Sequence, residues 1–177
     1  THLESDPVRF FEREALENMN RARLELSEFL NADSDGMTFC QNATSGVNTV
    51  LRSLVLNQGD EIIVPNHSYQ ACWNAIDFVA ARWGAKIVVV DLPFRCDSEE
   101  EIIEPLLAAI SPKSVLAMID TVTSPTGLRM PFEKLVGEFQ SRGVDVLLDA
   151  AHGPGIVPMD LSKLDAAWVT GNCHKWL

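Results

Sequence analysis

VDVLLDAAHGPG, residues 144–155, passes from branched apolar side chains to a carboxylate, a histidine and a glycine–proline turn. The run 144–149 is short and almost continuously apolar, so it reads as a strand buried on both faces rather than one face of a surface helix. Asp149 closes that strand, where an unpartnered carboxylate would be costly. It therefore needs a cation or a hydrogen-bond donor, and His152 reaches the same region three residues later. A structural ion pair would satisfy Asp149 as well as a ligand would.

The same pattern recurs on either side. Strands are expected at 37–40, 61–65 (EIIVP), 86–91 (KIVVVD), 114–119 (SVLAMI) and 166–170 (AAWVT), with helices near 44–57, 69–83, 98–110 and 131–142. Short apolar strands alternating with helices imply an α/β fold, a three-layer αβα arrangement around a mainly parallel sheet. The leading segment 1–36 reads as helical. Asp6 is a suitable N-cap and Pro7 suits the first helical position. Val8, Phe11, Ala15, Met19, Ala22, Leu26 and Phe29 follow at steps of three and four.

Composition bounds the function. Of 177 residues 46% are hydrophobic and 22% charged, as in ordinary globular chains, and the net charge of −11 argues against a nucleic-acid partner. No apolar run approaches the length of a membrane span, so no membrane partner is expected. Cys40, Cys72, Cys96 and Cys173 form no CxxC pair and no metal-ligand spacing, so no metal site is expected. With no signal-like segment in view, reduced thiols of a cytoplasmic protein are the expectation.

In open parallel sheets, ligands sit beyond the carboxyl ends of the strands. The unusual polar residues of this chain fall there repeatedly. QNATSGVN (41–48) turns into a helix, a seat for an anion to which Thr44 or Ser45 can add a hydroxyl, though either also reads as an N-cap. NHSYQACW (66–73) puts His67 and Tyr69 at the sheet mouth, as stacking partners for a flat ligand or as satisfied polar residues. DTVTSPTGLRMP (120–131) offers Thr123 and Ser124 around a Pro–Gly turn. GNCHKW (171–176) brings Asn172, His174 and Lys175. One crossover fits between Asp149 and Lys175, so the two side chains can come from neighbouring strand ends.

One cofactor uses this whole set, pyridoxal 5′-phosphate. It needs a lysine for its aldehyde, a carboxylate for its pyridine nitrogen, a helix N-terminus with hydroxyls for its phosphate and a partner for its ring. QNATSGVN, DTVTSPTG, DAAHGPG and GNCHKW together resemble the class V aminotransferase superfamily of fold-type I enzymes, and most closely its isopenicillin N epimerase-like branch. The resemblance implies a PLP-dependent transferase-like large domain, present here in part. An N-terminal segment and a C-terminal small domain carrying the substrate-carboxylate arginine are expected beyond these 177 residues. It further implies Lys175 as the Schiff-base lysine, Asp149 at the pyridine nitrogen and His152 at the phenolic oxygen. Ala43, Thr44, Ser45, Asn172 and His174 would hold the phosphate, and Thr123 and Ser124 would line the ring. Tyr69 or His67 would stack on it, Tyr69 being the choice beside the reacting Cα.

The expected activity is chemistry at Cα of an amino acid or its derivative, in a homodimer. Epimerisation, transamination and C–S lysis of the desulfhydrase, desulfurase or sulfoxide-lyase type are the possible outcomes. A degenerate, non-catalytic scaffold would be expected to have lost Lys175 or Asp149. A dinucleotide-binding domain would need a GxGxxG after its first strand, and the chain has none.

Overall fold

Asp6 starts the first long helical run as its type predicts, its side chain accepting the Arg9 N–H at 3.1 Å ahead of Pro7. The computed structural model describes residues 2–177, with helices α1 (His2–Ser5) and α2 (Pro7–Arg9), a π-helical stretch (Phe10–Glu14) and α3 (Ala15–Leu30). Asn31 ends α3 in the left-handed conformation, φ 48°. Its side-chain amide donates to Asp160 and Ser162 at 2.8 and 2.9 Å. These elements, up to Phe39 and with Met159–Lys163, form one compact unit. The helical periodicity holds, but Val8, Phe11, Met19 and Phe29 are exposed.

The second unit comprises Cys40–Pro158 and Leu164–Leu177. Its elements in order are α4 (Ala43–Ser53), β1 (Glu61–Pro65), α5 (Gln70–Trp83), β2 (Lys86–Val90) and α6 (Glu100–Ala108). Then come β3 (Ser114–Asp120), α7 (Phe132–Ser141), β4 (Asp145–Ala150), β5 (Trp168–Gly171) and the short α8 (Cys173–Trp176). The five strands are all parallel, in the order β2-β1-β3-β4-β5.

Alternation along the strands divides the core. Ile62 and Val64, Leu116 and Met118, and Leu147 pack with Val47 and Leu51 of α4 and Cys72, Ile76 and Val79 of α5. Ile63, Ala117, Ile119, Val146 and Leu148 project from the opposite face and are buried, as are Phe132, Leu135 and Phe139 of α7. Helices α6 and α7 pack together, and α7 lies on β3 and β4. The result is the expected three-layer αβα domain.

Three expectations need correction. Residues 37–40 do not form a strand, because no strand among the described residues pairs with them; Met37 is extended and Phe39 is exposed. The helix expected at 44–57 begins at Ala43 and stops at Ser53, because Leu54 is already extended at ψ 142° and the chain turns towards β1. The leading segment, expected to be helical over 1–36, leaves the helix after Leu30 and resumes only as a 3-10 turn at Ser34–Gly36; the other boundaries shift by at most two residues. Among the described residues, no helix is long and apolar enough to cross a membrane, and no cluster of His, Cys, Asp and Glu could hold a metal ion.

Candidate active site

The strand register draws three polar residues into one row at the carboxyl edge of the sheet. Asp120 of β3 pairs with Asp149 of β4, and Asp149 pairs with Thr170 of β5. By alternation they share the face of Met118, Leu147 and Trp168, the face covered by α4 and α5. Each has a partner on that side, from the turn before α5, from α5 itself and from α4 in turn. Ser68 Oγ donates to Asp120 Oδ2 at 2.8 Å, and Cys72 Sγ donates to Asp149 Oδ2 at 3.3 Å. Thr170 packs so closely against α4 that a Cβ on Gly46 would lie 2.9 Å from its Cγ2.

Both carboxyls are buried, and among the described residues neither forms an ion pair with a lysine or arginine. Asp149 is held by donors instead, its Oδ1 accepting the Ala151 N–H at 2.9 Å. Burial first, and the Asp149 carboxylate second, push the Asp120 carboxyl well above the usual carboxylate range, against the opposing effect of the Ser68 hydrogen bond. Burial and then Asp149 also push the Cys72 thiol upward, which keeps it an S–H donor.

The start of α4 faces the same cavity. Its cap is Asn42 rather than Thr44 or Ser45, with Oδ1 accepting the Ser45 N–H at 2.9 Å. Asn172, just beyond β5, accepts the Ala43 N–H at 2.8 Å and so ties the helix start to the sheet. Two first-turn N–H groups are therefore engaged, and the Thr44 N–H has no protein partner among the described residues.

Thr44, Ser45, Tyr69, Ser124, Asp149, His152, Asn172, His174 and Lys175 all line one cavity of about 500 Å³, together with Asn42, Ala71, Asp120 and Ala151. That volume lies inside the range of about 300–1,000 Å³ usual for small-molecule sites. Lys175 Nζ lies 3.1 Å from His152 Nε2, and Trp176 Nε1 lies 3.1 Å from His152 Nδ1.

His67 and Thr123 stand outside this lining. His67 is buried with Nδ1 3.4 Å from Thr126 Oγ1. Thr123 Oγ1 lies 2.6 Å from the same hydroxyl and accepts the Leu128 N–H, bracing the 123–128 turn. Ala43 contributes its backbone N–H. Sequence reasoning overlooked Asp120, Ser68, Cys72, Asn42 and Trp176. Asp120 carried the same signal as Asp149, an acid closing an apolar strand, but was assigned to the following turn.

The comparisons agree with this architecture. The model of the family "Aminotransferase class-V" matches residues 6–177. Isopenicillin N epimerase of Streptomyces clavuligerus is 32% identical over 179 residues, across 99% of this chain and 44% of that protein. Hercynylcysteine sulfoxide lyase of Schizosaccharomyces pombe is 30% identical over 159 residues, across 90% and 41%. The cystine C–S lyase C-DES, solved with its product cysteine persulfide, superposes with a TM-score of 0.88 at 23% identity, over 99% of this chain and 47% of that one. A C-DES mutant with glycine covalently linked to its PLP cofactor gives 0.86 at 24% identity over the same shares. The chain thus spans less than half the length of these relatives. The family match runs through all five strands and every residue lining the cavity, and the chain belongs to the class V aminotransferases.

Proposed function

We propose that this chain is part of the cofactor-binding large domain of a pyridoxal 5′-phosphate enzyme acting at Cα of an amino acid or amino-acid derivative. The observation that carries the reading is the buried Asp149. Its oxygens are fixed by Ala151 and Cys72, and it faces a cavity that also holds the Lys175 amine, while among the described residues no cation forms an ion pair with it. A protonated pyridine nitrogen is the cationic hydrogen-bond donor such a carboxylate lacks.

The other residues fit the same group. The α4 start, with Thr44, Ser45, Asn172 and His174, suits the phosphate. His152 suits the phenolic oxygen and Ser124 the ring edge. Tyr69, in the lining, takes the stacking place in preference to His67, while Ala43 and Thr123 hold the α4 start and the 123–128 turn through their own hydrogen bonds. When bound, the cofactor withdraws electrons from a substrate Cα and weakens its bonds. Lys175 is the amine that anchors it and afterwards moves the proton at Cα, and Asp149 keeps the ring nitrogen protonated.

Epimerisation is the first reading, supported by the Streptomyces clavuligerus relative. C–S lysis is the second, supported by the sulfoxide lyase relative. We place the full-length enzyme in the cytoplasm, consistent with four free cysteines, as a homodimer. The test is the full-length protein with pyridoxal phosphate: a yellow, borohydride-reducible absorbance is expected, and Lys175→Ala abolishes it. No reducible adduct in the wild type would end the reading. Scoring amino acids and cysteine derivatives for racemised product against pyruvate and sulfide separates the two reactions.

A further inference from the structure

The turn that follows β1 is braced in three directions by three consecutive side chains. Asn66 Oδ1 accepts the Leu92 N–H at 3.0 Å, just beyond β2. His67 Nδ1 lies 3.4 Å from Thr126 Oγ1 in the 123–128 turn. Ser68 Oγ donates to Asp120 Oδ2, at the end of β3, at 2.8 Å. Tyr69 comes next and differs from all three. Its side chain has no hydrogen-bond partner among the described residues, lines the cavity and is 44% exposed.

The backbone of Tyr69 is held on its far side as well, where its carbonyl accepts the Cys72 and Trp73 N–H groups at 2.9 and 3.0 Å. Of the three braces, the Ser68 bond is the shortest and joins two buried side chains. At that depth an unmade hydrogen bond is costly, so the pair stays closed. The bond does not depend on the charge of Asp120, because a neutral carboxyl keeps an oxygen that accepts. Ser68 is not part of the cavity lining, so its effect on a ligand runs through a neighbour.

We propose that Ser68, through its bond to Asp120, is a positioning residue that holds the Tyr69 ring at the cavity wall before any ligand arrives. Resting on the cofactor reading above, this is the ring laid against pyridoxal phosphate. A ring fixed beforehand loses less freedom when the ligand binds, and the ligand binds more tightly for it.

The test is a double-mutant cycle in the full-length protein, with the dissociation constant of pyridoxal phosphate read from the visible band. Ser68→Ala deletes the donor and should raise the constant about three- to tenfold. In a Tyr69→Ala background the same change should raise it less than about twofold, since no ring is left to position. An equal rise in both backgrounds would mean that Ser68 acts through Asp120 or the fold at large, and overturns the assignment, as does no rise in the first. A fluorotyrosine installed at position 69 reads the ring without cofactor. Its ¹⁹F resonance should lie away from that of the free amino acid and move towards it in Ser68→Ala; a resonance that stays put overturns the assignment too. If Ser68→Ala does not fold, Ser68→Cys, which keeps a weaker donor, takes its place and should shift both readouts in the same direction. If the wild type takes up no pyridoxal phosphate, the cofactor reading fails while the fluorine spectra still decide the role of Ser68.

Discussion

Asp120 and Asp149 stand side by side on neighbouring strands, both buried, and two such carboxyls cannot both ionise cheaply. The proton goes to Asp120, whose raised affinity has a consequence for stability. A carboxyl that binds its proton more tightly when folded gives full stability below its unfolded pKa, about 4. That stability is lost as pH rises towards the folded value, about 8. Asp120→Asn removes the titration. In the cofactor-free protein the variant should gain on the wild type steadily between these limits, with no further gain above the upper one. Thermal melts across pH measure this, and a difference that does not change with pH would contradict it. Asp120 was open to sequence reasoning, since it closes an apolar strand as Asp149 does. What could not be read was the register that makes them neighbours, because pairing is a property of two strands together.

At the scale of elements, the strands were legible wherever apolar character was continuous, as in β1, β3 and β4, because burial on both faces leaves no room for polar interruption. The end of α4 was not, since Leu54 and Leu56 continue an apolar pattern after the backbone has become extended. Contact between α4 and β5 was hidden too, being a matter of distance and not of periodicity. It yields a paired expectation. Gly46→Ala drives a methyl into Thr170 and should cost about 1–3 kcal/mol by overpacking. It should also weaken binding of pyridoxal phosphate by moving the start of α4. Gly137 lies inside α7, where a Cβ would meet nothing within 4 Å. Gly137→Ala should therefore stabilise by about 0.5–1 kcal/mol through helix propensity alone. Chemical denaturation of both variants checks the pair, and equal effects would remove the steric account of Gly46.

For the molecule as a whole, the strand order sets a gradient of stability. Strands β1, β3 and β4 each have a strand on both sides, whereas β2 bonds only to β1 and leaves Val89 51% exposed. Amide exchange should be slowest in β3 and β4 and faster in β2, because exposed edge bonds open in smaller local events. Slower exchange in β2 than in β3 would mean that something covers that edge in the full-length protein. The chain's α/β class was legible because alternation of apolar strands and helices admits few architectures. The cavity was legible in part for the same reason, since parallel strands deliver their carboxyl ends to one edge. His67 and Thr123 reach that edge by position but turn into the wall, a side-chain choice made by Thr126.

The thiol beneath the site also serves as an optical probe. Cys72 places an S–H oscillator 3.3 Å from Asp149 Oδ2. The infrared stretch of that bond falls where amides and water absorb little, and it shifts to lower frequency as its acceptor gains negative charge. Subtracting the spectrum of Cys72→Ser would isolate it from the other three cysteines. The band would then report the charge on Asp149 directly, whether or not anything coloured is bound.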